Sequence, residues 1–172
     1  MTSPGGPEPR PAPEDGAGET GTSSPAAADA AALRDAALIA ERVSADEQAA
    51  DAERARLVDG ELPDLGPELG GALALTDGER VHAIRHAAIL EEGEHAPPLG
   101  GSLYLTSRRL VHVGESIREI PLDAIDESAV SLERLLLLDL TDGSDLAFEV
   151  DQPRLLRVQL AAARVHARRR AP

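Results

Sequence analysis

The chain has 172 residues and carries 17 basic against 31 acidic side chains, a formal charge of −14. Every basic residue is arginine, cysteine is absent, and Tyr104 and Phe148 are the only residues of the Phe, Trp and Tyr class. Such acidity excludes broad nucleic-acid binding, which needs concentrated positive charge, and the lack of cysteine excludes disulfides, thiolate nucleophiles and cysteine-ligated zinc.

Residues 1–25 hold six prolines and five glycines but no Leu, Ile, Val or aromatic residue. With nothing apolar to bury, the segment cannot offset the entropy of ordering its backbone, and a disordered tail is expected. It also lacks a basic residue followed by an apolar stretch, so it does not read as a signal peptide. The longest run of large apolar residues, Leu135 to Leu138, is far short of the roughly 20 needed to span a bilayer. A cytoplasmic address is expected.

From 26 to 58 the composition turns to Ala, Asp, Glu and Arg, which favours a helical appendage. Leu33, Ala36, Ala40 and Val43 recur at helical spacing. Ser44-Ala45-Asp46-Glu47 matches a capping box, so a second helix is expected to start there. Residues 59–71, with Gly60, Pro63, Pro67 and Gly71, read as a linker.

Residues 72–150 alternate short apolar runs with turn signals, the pattern of an antiparallel sheet or small barrel. In Arg80 to Leu90 the apolar spacing fits both a helix and a strand; a strand is expected because the following elements need a partner. Ser102 to Thr106 alternates, with Leu103 and Leu105 on one face, and Arg109 to Val113 follows closely enough for a hairpin. Ile117 to Leu122 contains Pro121, which cannot donate a ladder hydrogen bond and suits an edge. Ala129 to Leu132 pairs with Leu135 to Leu140, and Thr141-Asp142-Gly143-Ser144 supplies an Asp-Gly turn. Asp145 to Val150 then places Leu146, Phe148 and Val150 inward. The last element is an amphipathic helix, with Asp151 as its cap, Pro153 in the first turn, and Leu155, Leu156, Leu160 and Val165 on its apolar side. At 100° per residue, Arg154, Arg157, Arg164 and Arg168 fall within about a quarter of its circumference. Residues 151–172 hold six arginines against one acid, a basic end on an acidic protein, and the Asp and Glu side chains of the 26–58 appendage are expected to fold back on this stripe.

Three blocks in order carry a family resemblance. Leu75 to Val81 resembles the entry of GRAM and bacterial pleckstrin-homology-like domains. Gly101-Ser102-Leu103-Tyr104-Leu105-Thr106, continuing to Val111, is similar to their glycine-led Leu-Tyr-Leu-Thr signature, and Ile120-Pro121-Leu122-Asp123-Ala124-Ile125 resembles their Ile-Pro-Leu strand. The resemblance covers about residues 72–170. It implies a mainly β, partly open seven-stranded barrel with a C-terminal α-helix, here preceded by the tail and the Ala-rich helical segment. It also implies a binding role, toward proteins in some members and membrane lipids in others. Lipid-binding members commonly place basic residues between the first two strands; here Glu91 to Pro98 is acidic and repels a phosphate.

Little points to catalysis, to a cofactor or to a metal. No Gly-Lys-Ser/Thr or Gly-x-Ser-x-Gly motif occurs; His82 and His86 have no third ligand; Asp139, Asp142 and Asp145 fit strand–turn–strand better than a calcium loop. His112 alternates with Leu110 and reads as a core residue, and Arg108 and Arg109 as structural turn residues. The expected function is therefore a non-enzymatic interaction module with a protein partner. Arg154, Arg157, Arg164, Arg168, Arg169 and Arg170 are the candidate partner-binding residues. The alternative is a peripheral membrane adaptor that uses the same stripe on anionic lipid, where each arginine near the surface is worth about 1 kcal/mol.

Overall fold

A computed structural model describes residues 25–59, 61–66, 68, 71, 73–90, 98–131, 134–138 and 140–170. Residues 1–24 of the expected disordered tail, the Glu91 to Pro97 part of the acidic loop and the Leu132-Glu133 turn lie outside the described residues, while Pro25, expected in the tail, begins a helix. The chain divides into two units, residues 1–36 and 37–172. In the first, the described residues are the start of helix α1, with Leu33 exposed.

Helix α1 runs without a break through Pro25–Asp59. The second helix start expected at Ser44 is not formed. Ser44 sits inside the helix, where its hydroxyl accepts from Gln48 Nε2 at 3.3 Å instead of capping, and the surrounding alanines favour continuation.

Seven strands follow: β1 Val81–Leu90, β2 Leu99–Thr106, β3 Arg109–Val113, β4 Ile117–Pro121, β5 Glu127–Ser131, β6 Arg134–Leu138 and β7 Leu146–Val150. All pairs are antiparallel, in the order β4-β3-β2-β1-β7-β6-β5. The architecture is mainly β with a C-terminal helix, α2 Pro153–Arg170, as expected. The sheet is not closed: β4 and β5 are its edges, and between them lies a single 3₁₀ turn, Leu122–Ala124. Pro121 ends the edge strand β4, where its missing N–H costs no ladder bond.

Strand alternation builds two apolar layers. Leu103, Leu105, Leu110, Leu135, Leu137, Phe148 and neighbours face one side and are sealed by Leu156, Leu160 and Ala163 of α2. Helix α2 packs on β1, β5, β6 and the 3₁₀ turn. On the other face Val81, Tyr104 and Val111 form a smaller cluster. A register shift between Val81 and Ala83 explains why these two residues serve different layers, although simple alternation puts them on one.

The expected linker is part of the fold. Leu62 is buried in the main core and Leu65 packs on the second cluster. Leu65 N–H donates to Val81 O at 2.9 Å, and His82 Nδ1–H donates to Pro63 O at 2.7 Å. Pro63, which disfavours helix, leaves residues 61–66 without regular structure and able to lie beside β1.

The glycine that opens the signature has a steric reason. A Cβ on Gly101 would collide with Val113 O and come within 2.8 Å of His112 Nε2. His112 is buried beside Phe148, with ring centroids 6.2 Å apart, and its Nε2 lies 3.3 Å from Ala87 O. Gly143, at φ +76°, supplies the left-handed residue of the Asp-Gly turn.

Candidate protein-binding groove

The Thr76 to Glu79 turn brings one carboxylate under the sheet end. Glu79 has no exposed side-chain area, and its oxygens accept from Thr76 N–H at 3.0 Å, Thr76 Oγ1 at 2.9 Å and Thr106 Oγ1 at 2.7 Å. Arg109 donates to the same carboxylate through Nε at 2.9 Å and Nη2 at 3.2 Å. Burial alone would raise the Glu79 pKa, but these hydrogen bonds prevail and hold it at about 2 against the ordinary 4.5. Arg109 also reaches Ala74 O at 2.8 Å and Glu119 Oε2 at 2.6 Å. Two of the blocks that carry the resemblance thus meet in one buried polar knot, a structural role.

Arg108 points elsewhere. Its Nη2 donates to Asp77 O at 2.9 Å, which leaves the other guanidinium donors available. With Arg164 and Arg168 of α2 it lines a groove of about 420 Å³, together with Gly78, Ser107, Leu122 and Asp123. Leu122 N–H is fixed to Arg108 O at 3.0 Å. The groove therefore lies where the turn between β2 and β3 and the 3₁₀ turn after β4 meet the end of α2. Arg164 is held by donation from Nη2 to Asp126 O at 2.9 Å, while its Nε is buried without an acceptor among the described residues. Burial, and next the charge of Arg168, push its pKa down, and an incoming anion would offset the like-charge repulsion with opposite charge.

The remaining stripe residues meet different fates. Arg154 faces Asp46 and Glu47 at 3.6 and 3.5 Å. Arg157 Nε donates to Ser128 O at 2.9 Å. Arg168 and Arg169 are exposed, and Arg170 ends α2. The stripe does not face outward as a unit; its first half is tied to the molecule's own helix and strand.

Two details correct the sequence reading of α2. Asp151 does not cap it: the residue before the helix is Gln152 (φ 53°), whose carbonyl accepts from Leu156 N–H at 3.0 Å. The capping carboxylate is Asp46, which accepts from Arg154 and Leu155 N–H at 2.9 and 3.0 Å. Val165, expected on the apolar side, is exposed.

His82 and His86 do not converge, whereas His82 and His166 line one small cavity. His82 is tied to Pro63 and its pKa is lowered chiefly by burial, His112 is in the core, and His86 is exposed. Among the described residues no group of three or more His, Asp or Glu is placed to hold a metal. Gly16-Ala17-Gly18-Glu19-Thr20-Gly21 has the Gly-x-Gly-x-x-Gly spacing. It lies outside the described residues, and no apolar run that could form the required strand precedes it. No described helix is long and apolar enough to cross a membrane.

No family model and no curated protein matches this chain. Among solved structures, it is similar to the C-terminal domain of an unknown protein from Leishmania infantum. That likeness has 15% identity and a TM-score of 0.46, covering 58% of this chain and 90% of the other.

Proposed function

We propose that the chain is a non-enzymatic, pleckstrin-homology/GRAM-like interaction module of the cytoplasm that binds an acidic segment of a protein partner. One observation carries this reading: Arg108, Arg164 and Arg168 share a groove on a molecule of net charge −14. Two of the three are pre-positioned by backbone carbonyls, which reduces the ordering cost of binding. Guanidinium forks match carboxylate geometry, and Ala167 adds a small apolar contact for a peptide's aliphatic carbons.

The test is a titration of the full chain with a short polyglutamate peptide and, separately, with vesicles containing anionic lipid. Peptide binding is expected, salt-sensitive, and weakened about tenfold or more when Arg108→Ala and Arg168→Ala are combined, since a charged hydrogen-bonded contact is worth about 1.5–3 kcal/mol. Vesicle binding without peptide binding would replace this reading by the membrane-adaptor alternative.

A further inference from the structure

Residues 37–59 of α1 meet the rest of their unit with little apolar surface. Ala50 is fully buried and Leu57 touches the core, whereas Leu38, Ile39 and Val58 are exposed. Polar contacts do most of the holding. Asp46 binds the first N–H groups of α2, as described, and stands 3.6 Å from Arg154 Nη1. Two turns on, Glu53 accepts from Gln159 Nε2 at 3.2 Å, and Gln159 Oε1 accepts from Arg85 Nη2 at 3.4 Å. A cavity of about 600 Å³ remains beside the helix, lined by Arg42 to Asp46 on one side and His86 to Ala88 with Glu149 to Arg154 on the other.

The surface beneath is incompletely satisfied. Arg85 is half-buried; its Nη1 donates to Ile84 O at 2.8 Å, but its Nε is buried and has no acceptor among the described residues. A buried donor left without a partner keeps its full desolvation cost. Asp151, and after it Asp46 and Glu53 of the strap, act on Arg85 only through space.

We infer that residues 37–59 are a releasable strap over a second docking surface, formed by Arg85, Arg154, Gln159 and the first turn of α2, which takes an acidic helix of a protein partner. The strap supplies the internal version of that ligand, with carboxylates at 46 and 53, seven residues and about two helical turns apart. An incoming helix that sets a carboxylate on Arg85 Nε satisfies the donor the strap leaves open. This goes beyond the groove of Arg108, Arg164 and Arg168 and does not depend on it.

A synthetic peptide of residues 41–59 serves as the acidic-helix probe, titrated into the full chain by fluorescence anisotropy. The chain carrying Asp46→Asn and Glu53→Gln is expected to bind the probe about tenfold more tightly than the unmodified chain, because the strap no longer competes. A probe with the same two substitutions is expected to bind neither. Equal binding to both chains, or no binding to the variant, would overturn the proposal. Native-state hydrogen exchange on the unmodified chain covers a variant that fails to fold. Amides of residues 46–57 are expected to exchange about tenfold or more faster than those of β2 and β3. Equal protection would make the helix integral to the fold and would also overturn the proposal.

Discussion

Arg108 and Arg109 are neighbours in the chain, yet they serve regions with opposite demands. Arg109 enters a knot in which Glu79 is wholly buried and each oxygen is occupied; its own pKa is raised by that partner. Arg108 enters a groove where the nearest arginines repel one another and a buried nitrogen lacks an acceptor among the described residues. A satisfied cluster holds a fold together, whereas an unsatisfied cationic one has something to gain from a ligand. The contrast separates a satisfied cluster from an unsatisfied one within a few residues of sequence.

The strongest way to break the comparison is at the knot. Glu79→Ala leaves Arg109 without its buried partner, and a loss of roughly 3–5 kcal/mol in chemical denaturation is expected; a loss below about 1 kcal/mol, ordinary for an exposed pair, would remove the knot's structural role. The same carboxylate gives a pH signature. Its folded pKa, about 2, lies below the ordinary 4.5, so its contribution is complete above about 4.5 and is lost as pH falls toward 2. In Glu79→Gln that acid-side slope is expected to flatten, which unfolding curves across that window would record.

Smaller effects sharpen the picture. Gly101→Ala forces a methyl into Val113 O and His112, with an expected cost of about 1–3 kcal/mol in thermal unfolding. Asp46→Ala removes a cap from α2 and is expected to cost about 1 kcal/mol. At the groove, Arg168→Ala is expected to change stability by less than about 0.5 kcal/mol; a larger loss would place Arg168 with Arg109 as a structural residue.

Much of the sheet was legible because its signals are local. Leu103 and Leu105 alternate, Asp142-Gly143 forces a turn, and Pro121 marks an edge; each acts within a few residues. Interactions across the chain were legible only in outline: the acidic side chains of the 26–58 segment suit an arginine stripe, as Arg154 beside Asp46 and Glu47 shows, but which groups meet was not. Asp46 caps a helix that begins at Pro153, and nothing near either residue announces the pairing. Leu62 and Leu65 looked like linker because prolines flank them, but their burial depends on β1 lying alongside. The candidate site was half legible. Helical spacing brought Arg164 and Arg168 together, while Arg108 joins them only because the turn after β2 folds against the end of α2. The same spacing grouped Arg154 and Arg157 with them, since periodicity gives direction around a helix and not what stands opposite it.

Whether this groove recognises acidic chains is tested most directly by mapping where such a chain lands. Amide chemical shifts of the isotope-labelled full chain, titrated with polyglutamate, are predicted to move at Gly78, Ser107, Arg108, Leu122, Asp123, Ala167 and Arg168 while those of β5 and β6 stay fixed. Saturating peptide with no shift at these positions, or shifts centred on β5 and β6, would contradict the account.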